Sequence, residues 1–158
     1  MRRARPARSD LGGDPLTDIE LFARLIQCEA GGEGDTGMKA VASVVMNRLL
    51  VDWGEYGRLV SSLPEVIYQT GQFDCARTTL YGQYNPQNIY NATPDQIHYD
   101  IAYWALAGNR VPGLGDALWY FNPYSETCPV NFPSGVGVFV ARIGEHCFYE
   151  PTQQYAYT

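Results

Sequence analysis

One glutamate in the sequence has the setting of a catalytic acid. Glu29 lies in the last turn of a predicted apolar helix, directly before two glycines, Gly31 and Gly32, that leave space around it. The negative end of a helix and partial burial both disfavour the charged form of a carboxylate. A glutamate in this setting can hold a proton near neutral pH and act as a general acid. The same spacing is also typical of a surface glutamate at a helix end.

A second carboxylate, Glu33, follows four residues later. On an uninterrupted helix this spacing would place both side chains on one face. The glycine pair ends the helix between them, so the two carboxylates need not share a face. We expect Glu33 to stabilise the loop or to orient a substrate.

Aromatic residues are numerous in two stretches of the chain. The sequence has twelve tyrosines and three tryptophans, concentrated in residues 68–90 and 119–124, with the amides of Asn85, Asn88 and Asn122 interleaved. Aromatic faces can stack on sugar rings while amides bind sugar oxygens, so this composition is suited to a glycan-binding groove. Core packing is the alternative for many of these rings, because it is the commoner fate of an aromatic side chain.

Metal and cofactor chemistry have little support in the sequence. The four cysteines are widely spaced without a C-x-x-C pair, and the two histidines, His98 and His146, lie in dissimilar contexts. A structural zinc site usually needs closer spacing of such ligands. The glycine motifs that bind phosphates or dinucleotides are also absent. We therefore expect neither a metal nor a cofactor.

Charge and hydropathy narrow the possible partners. The net charge is −6 although arginines crowd the first eight residues, so the rest of the chain is strongly acidic and would repel a nucleic-acid backbone. No apolar run reaches the roughly 18 residues of a membrane-spanning helix. No apolar stretch follows the basic start, as it would in a secretory signal. We expect no nucleic acid, no membrane insertion and a monomeric protein.

Local signals predict a single α+β domain in which helices precede a small antiparallel sheet. Residues 1–15, rich in arginine, proline and glycine, are expected to form a flexible basic arm. Residues 16–158 form the domain. Alternating patterns predict three short strands near the C-terminus, at residues 117–121, 136–141 and 146–150.

Two helices are predicted in the N-terminal half. A capping box that begins at Thr17 starts a helix over residues 18–30, and the glycine pair ends it. A second helix starts at Asp35 or Thr36 and carries an apolar face. Fully buried positions on that face are expected at Val41 and Val45.

A third long helix is predicted after a short helix at residues 64–68 and a polar, aromatic stretch over residues 69–91. That stretch is too long for a simple connection, so we expect it to carry local structure or function. Thr93 is the expected cap of the third helix, Pro94 its first-turn residue and Gly108 its end. The residues expected on its buried face are Ile97, Ile101, Trp104 and Ala105.

Four motifs occur in the order found in a known family. The first runs Glu29-Ala30-x-Gly32-Glu33 and continues to Asn47-Arg48. The later ones are Val66-Ile67-Tyr68-Gln69 with Gln72-Phe73, then Ala117-Leu118-Trp119-Tyr120-Phe121-Asn122-Pro123, then Ile143-Gly144-x-His146-x-Phe148-Tyr149. Together they resemble the spore-cortex-lytic cell-wall hydrolases of the SleB/CwlJ type, from about residue 18 to 150.

This resemblance implies a lysozyme-like fold and cleavage of the MurNAc–GlcNAc glycosidic bond of peptidoglycan, in spores that of the cortex. The family's catalytic glutamate corresponds to Glu29. Such enzymes resemble lytic transglycosylases, in which one acid protonates the glycosidic oxygen and then activates the muramic C6 hydroxyl, so that a 1,6-anhydro sugar forms. Substrate-binding residues are expected at Glu33, Tyr68, Gln72, Phe73, Trp119, Tyr120, Asn122 and His146.

The resemblance also implies a place in the spore cortex or coat, or elsewhere in the cell envelope. A phage or prophage lysis enzyme is one alternative, and a non-catalytic glycan-binding or spore-coat structural protein of the same fold is another. Release of muropeptides from purified peptidoglycan separates an enzyme from a binding protein. A cysteine peptidase using Cys28 and His146 is disfavoured, because a helix C-terminus raises the pKa of a thiol.

The cysteines divide into two pairs by position. Cys128 and Cys147 lie in the predicted sheet region and are expected to bridge only in an oxidising compartment. Cys28 and Cys75 are expected to flank the groove, and a buried thiol that serves as a small apolar residue is the alternative for Cys28.

Overall fold

Five α-helices and two antiparallel sheets make up the part of the chain that the structure describes. The structure is a computed structural model and describes residues 16–69 and 72–158, so the arm expected at residues 1–15 lies outside the described residues. The helices are α1 (Asp18–Ala30), α2 (Gly34–Leu50), α3 (Gly54–Leu59), α4 (Leu63–Tyr68) and α5 (Gln96–Leu106). Within the described residues, every helix is too short or too polar to span a bilayer.

The bounds of α1 are those that the capping signals predict. The side-chain oxygen of Thr17 accepts a hydrogen bond from the backbone N–H of Glu20 at 3.2 Å. At the other end, the N–H of Gly31 donates to the carbonyl of Gln27 at 2.9 Å. These bonds satisfy backbone groups that a helix end leaves unpaired. The prediction of a helix over residues 18–30 is confirmed.

The helix α2 lies at the centre of the helical part of the domain. It packs against α1, α4 and α5, and ten of its 17 residues are buried. Val41 and Val45 are both fully buried, which confirms that prediction. The helix begins at Gly34, one residue earlier than expected, and no side chain caps it.

The start of α5 differs from the prediction. Asp95 is the N-cap residue, and its backbone N–H donates to Nδ1 of His98 at 2.9 Å. The expected cap at Thr93 is wrong, because the reciprocal bond of the capping box comes from His98, three residues after Asp95. Ile97 is 42% exposed, so its predicted burial is also wrong. The buried residues of α5 are His98, Ile101, Ala102 and Ala105.

A small two-stranded sheet lies in the long stretch between α4 and α5. It pairs β1 (Thr79–Leu80) with β2 (Gln83–Tyr84). Short 3-10 turns at Asp74–Ala76 and Ile89–Asn91 flank it. The expectation that this stretch carries local structure is confirmed.

The C-terminal sheet has three antiparallel strands in the order β3-β5-β4. The strands are β3 (Trp119–Phe121), β4 (Gly137–Ile143) and β5 (His146–Pro151). A disulfide joins Cys128 to Cys147, with 5.9 Å between their Cα atoms, so the bridge expected under oxidising conditions is present. It ties the loop after β3 to the central strand of the sheet. Helices followed by a small sheet are the α+β arrangement that the sequence predicts.

Candidate active site

Glu29 lies where the C-terminal end of α1 meets the three-stranded sheet. Its side chain is half-buried, and its Oε1 accepts a hydrogen bond from the hydroxyl of Tyr120 at 2.6 Å. A hydrogen bond from a phenol to a carboxylate is charge-assisted and therefore strong. Glu29 is thus held in one orientation, with one of its two oxygens engaged by Tyr120.

Two adjacent side chains of α2 position the strand that carries Tyr120. Nδ2 of Asn47 donates to the carbonyl of Ala117 at 3.0 Å, and Nε of Arg48 donates to the carbonyl of Leu118 at 2.7 Å. These two carbonyls lie just before β3, and the strand itself pairs with β5. Because the chain is bound at both places, the hydroxyl of Tyr120 is held at the end of α1.

The surroundings of Tyr120 keep its hydroxyl protonated. Burial raises the pKa of Tyr120 well above its usual value, and the charge and hydrogen bond of Glu29 add to this shift. The ring contacts His146 edge to face, with 5.0 Å between ring centres, and stacks on Phe148 at 5.6 Å. Tyr120 is therefore a fixed hydrogen-bond donor at neutral pH.

Glu33 connects the start of α2 to the turn between β4 and β5. Its Oε1 accepts from the backbone N–H of Glu145 at 3.2 Å. A Cβ at Gly144 would lie 2.8 Å from that oxygen, and Gly144 has a φ of 58°, so the close approach and the backbone both favour glycine. Nδ1 of His146 lies 3.4 Å from the same oxygen without the alignment of a hydrogen bond. This contact is electrostatic and strengthens when the imidazole is protonated.

Two aromatic residues from the expected substrate-binding set lie in the hydrophobic core. Phe73 is 2% exposed and Trp119 is 7% exposed. The guanidinium carbon of Arg48 lies 5.0 Å from the ring centres of both Phe73 and Tyr56. In this conformation Phe73 and Trp119 support the side chains of the site by packing.

Two expected polar contacts already have partners within the protein. Oε1 of Gln72 accepts from the hydroxyl of Tyr56 at 2.7 Å. Oδ1 of Asn122 accepts from the backbone N–H of Tyr124 at 2.7 Å. Each bond uses one of the two lone pairs of an amide oxygen, so these amides can offer a sugar hydroxyl both N–H donors and an acceptor.

Tyr68 belongs to an exposed aromatic pair that is not evident from the sequence. Its ring stacks on Tyr90 with 6.5 Å between ring centres, and the two hydroxyls lie 3.0 Å apart. The exposed fractions of Tyr68 and Tyr90 are 37% and 46%. Tyr90 lies in the aromatic stretch of the sequence, which marks it as a candidate. Its pairing with Tyr68, 22 residues away, can be seen only in the folded structure.

The structure brings part of the predicted site together. Glu29, Tyr120, His146 and Glu33 form one chain of contacts from the end of α1 to the β4–β5 turn. Sequence reasoning missed the role of Arg48 in fixing β3, although the Asn47-Arg48 motif contained the residue.

The contacts of Cys28 and His146 do not support a cysteine peptidase. Sγ of Cys28 donates to the carbonyl of Gln87 at 3.0 Å, whereas His146 contacts the side chains described above. The hydrogen bond from the thiol of Cys75 lowers the pKa of Cys28, although burial and the nearby carboxylate oppose this shift. The expectation of a raised pKa at this helix end is therefore wrong, because the neighbouring thiol outweighs the other effects.

The sequence and the fold are similar to those of bacterial cell-wall hydrolases. Cell wall hydrolase CwlJ of Bacillus subtilis (strain 168) is 33% identical over 137 residues, which cover 87% of this chain and 87% of that protein. The catalytic domain of the germination-specific lytic transglycosylase SleB from Bacillus anthracis has a TM-score of 0.64 and 25% identity, covering 87% of this chain and 98% of that chain. The catalytic domain of the Bacillus cereus SleB protein has the same TM-score at 27% identity, covering 88% and 94%.

These similarities settle the fold and the family. The likeness to the SleB catalytic domains confirms the predicted lysozyme-like α+β fold. A family model described as Cell Wall Hydrolase matches residues 32–149, a range that includes α2, the two-stranded sheet and all of the three-stranded sheet except the end of β5. The chain belongs to the cell wall hydrolase family.

Proposed function

We propose that this protein cleaves the MurNAc–GlcNAc bond of peptidoglycan as a lytic transglycosylase, with Glu29 as its acid and base. The observation that carries this proposal is the bond from Tyr120 to Oε1 of Glu29, which leaves Oε2 to exchange a proton with the substrate. Family membership supports peptidoglycan as the substrate class. The Bacillus anthracis relative, named a lytic transglycosylase, supports the type of reaction. Glu29 precedes the family-model match, so its role rests on the geometry.

The reaction needs one carboxyl group. The proton on Oε2 of Glu29 passes to the glycosidic oxygen while the bond from that oxygen to muramic C1 breaks. The carboxylate then accepts the proton of the muramic C6 hydroxyl, whose oxygen bonds to C1 and closes the 1,6-anhydro ring. The intramolecular hydroxyl replaces the nucleophile or activated water that a second carboxylate provides in other glycosidases. Tyr120 stabilises the charged form of Glu29 between the two steps.

Glu33 fits this mechanism as a structural residue. Its oxygen is bonded to the β4–β5 turn and its contact with His146 faces the same turn. Together they hold the sheet against the helix end that carries Glu29. Glycan contacts from the exposed or half-buried side chains are part of the proposal, and their residues are Tyr68, Gln72, Asn122 and His146. Tyr120 acts through its bond to Glu29.

The proposal extends to organisation and location. Residues 16–158 act as one catalytic domain and as a monomer. Relatives named as a spore cortex-lytic enzyme and as a germination-specific enzyme support the spore cortex as the substrate and the cortex or coat as the location.

The test compares Glu29→Gln with the matched variant Glu33→Gln on purified peptidoglycan. Glutamine keeps the size of the side chain but has no transferable proton, so muropeptide release by Glu29→Gln should fall by at least about 100-fold. Glycan binding and folding should persist. Glu33→Gln should lose less than about tenfold, because it keeps an acceptor oxygen for the turn.

Mass spectrometry of the products tests the type of reaction. Anhydro ends, lighter than reducing ends by one water, are expected from the wild-type protein. Reducing ends would establish a hydrolase instead. Near wild-type release by Glu29→Gln would refute the assignment of the acid, and binding without any release by the wild type would make this a glycan-binding protein.

A further inference from the structure

One face of α1 holds the backbone of the segment 87–93 in place. Nη1 of Arg24 donates to the carbonyl of Ile89 at 3.2 Å and to the carbonyl of Tyr90 at 3.1 Å. The guanidinium of Arg24 also contacts the carboxylate of Glu20 on the same helix at 3.5 Å. The side chain of Arg24 is therefore fixed at both ends of its guanidinium, and it fixes the backbone at Tyr90.

Two later residues of α1 bind the same segment close to the acid. Nε2 of Gln27 donates to the carbonyl of Thr93 at 3.1 Å, and the thiol of Cys28 donates to the carbonyl of Gln87 at 3.0 Å. Residues three and four positions apart lie on one side of a helix, so the segment runs along α1 as far as the residue before Glu29. The segment is thus a fixed wall beside the acid.

An open cleft of about 390 Å³ lies between α1 and this wall. Its lining includes the exposed polar side chains of Gln87, Asn91 and Thr93. Nδ2 of Asn91 donates to the hydroxyl of Tyr84 at 2.8 Å and to the carbonyl of Pro86 at 2.9 Å, which leaves its Oδ1 as an acceptor. Every described residue that lines the cleft is uncharged. Such a lining is suited to a neutral ligand rich in hydroxyl and amide groups.

An aromatic surface formed by Tyr68 and Tyr90 adjoins the segment. The two rings are nearly parallel, at 16°, with 6.5 Å between their centres. Aromatic pairs in contact have centres about 4.5–7 Å apart, so rings at this wide spacing overlap little and keep ring surface for another partner. The contact between the two hydroxyls at 3.0 Å and the backbone bonds from Arg24 hold both rings in one arrangement.

We propose that the ring of Tyr90, together with Tyr68 and the cleft along the segment 87–93, forms a sugar-binding subsite beside the acid. It would hold a glycan residue next to the bond that is cleaved, with a sugar ring on the aromatic surface and its hydroxyl and N-acetyl groups in the cleft. The uncharged lining favours the glycan over the stem peptides of peptidoglycan, which carry charged groups. This inference rests on the proposed function for the identity of the ligand.

A subsite of this kind contributes affinity and not chemistry. Its side chains contact sugars away from the reacting atoms, so they stabilise the bound substrate and the transition state alike. The loss of such a contact raises KM and leaves kcat nearly unchanged. The split between KM and kcat therefore separates this subsite from the pair Glu29–Tyr120.

The test measures the binding of peptide-free glycan strands, prepared from purified peptidoglycan with an amidase. Calorimetric titrations use the Glu29→Gln protein as background, so that strands are not cut. Adding Tyr90→Ala should raise Kd by about 3- to 10-fold, whereas Tyr90→Phe keeps the ring and should stay within about twofold. Gln87→Ala removes a cleft amide but not the carbonyl that binds Cys28, and should raise Kd by about 2- to 10-fold.

The control is Tyr157→Ala, because Tyr157 is 86% exposed in a turn that packs against α3; its Kd should equal that of the background. In proteins that retain Glu29, Tyr90→Ala should raise the KM for muropeptide release by a similar factor, with kcat within about twofold of the wild-type value. Isolated stem peptides should show no binding that depends on Tyr90.

Two results would overturn the proposal. One is an unchanged Kd in a Tyr90→Ala protein of normal melting temperature; if that variant does not fold, an unchanged Kd for Gln87→Ala decides in the same way. The other is binding of stem peptides that depends on Tyr90, which would assign the cleft to the peptide. If the wild type releases no muropeptides, the proposed function fails, and the strand titrations still decide whether the subsite exists.

Discussion

The hydrogen bond between Tyr120 and Glu29 can be tested by removing one hydroxyl group. Tyr120→Phe keeps the ring that packs against His146 and Phe148 and deletes the donor at 2.6 Å from Oε1. A hydrogen bond to a charged group contributes about 1.5–3 kcal/mol. A factor of ten in rate corresponds to about 1.4 kcal/mol. We therefore expect kcat for muropeptide release to fall by about 10- to 150-fold.

The assay measures initial rates of release over a range of peptidoglycan concentrations, so that kcat and KM are obtained separately. Because the hydroxyl of Tyr120 donates to the acid, its loss should act on kcat, and KM should stay within about threefold of the wild-type value. Tyr157→Phe is the matched control, because Tyr157 is 86% exposed; it should behave as the wild type. A Tyr120→Phe protein of normal melting temperature and unchanged kcat would show that this bond does not contribute to catalysis.

Three further predictions concern stability. Val45→Ala should lower the free energy of unfolding by about 1–3 kcal/mol in urea titrations, because it opens a cavity at a fully buried position of α2; a change near zero would contradict tight packing there. The double variant Cys128→Ala/Cys147→Ala should lower it by about 2–4 kcal/mol, since the bond closes a loop of 19 residues; equal stability of the two proteins would refute this. The free energy of unfolding should also fall as the pH rises from about 10 to about 12. Burial raises the pKa of Tyr155 to about 12, so in this range the folded chain keeps a proton that the unfolded chain releases. Tyr155→Phe should weaken this pH dependence, and an unchanged alkaline profile of the variant would contradict the prediction.

Helix ends were predictable where two local signals agreed. Thr17 is followed three residues later by Glu20, the glycine pair ends the apolar pattern, and α1 has the predicted bounds. Before α5, Thr93 and Asp95 both have capping side chains, two residues apart. Sequence rules rank them almost equally. The hydrogen bond to His98 makes Asp95 the N-cap residue. This start of the helix turns Ile97 toward the solvent.

The candidate acid Glu29 could be chosen from local features, but its hydrogen-bond partner could not. Glu29 has the glycine pair and the apolar helix next to it in the sequence. Tyr120 lies 91 residues away, and its position depends on the register of β3 with β5 and on the bonds from α2. The burial of Phe73 and Trp119 depends on the same packing, since an aromatic residue type is equally suited to a core and to a groove.

The break between α1 and α2 explains how two nearby glutamates come to have separate roles. Four residues apart on one helix, Glu29 and Glu33 would have formed a pair of carboxylates on one face. With the chain turning at Gly31-Gly32, Glu29 closes α1 against Tyr120, and Glu33 precedes α2 with its oxygen bonded to the β4–β5 turn. In the proposed mechanism, one carboxylate transfers the proton and the other holds the sheet in position. The C6 hydroxyl of the muramic sugar then serves as the nucleophile, a part that a second carboxylate or an activated water plays in other glycosidases.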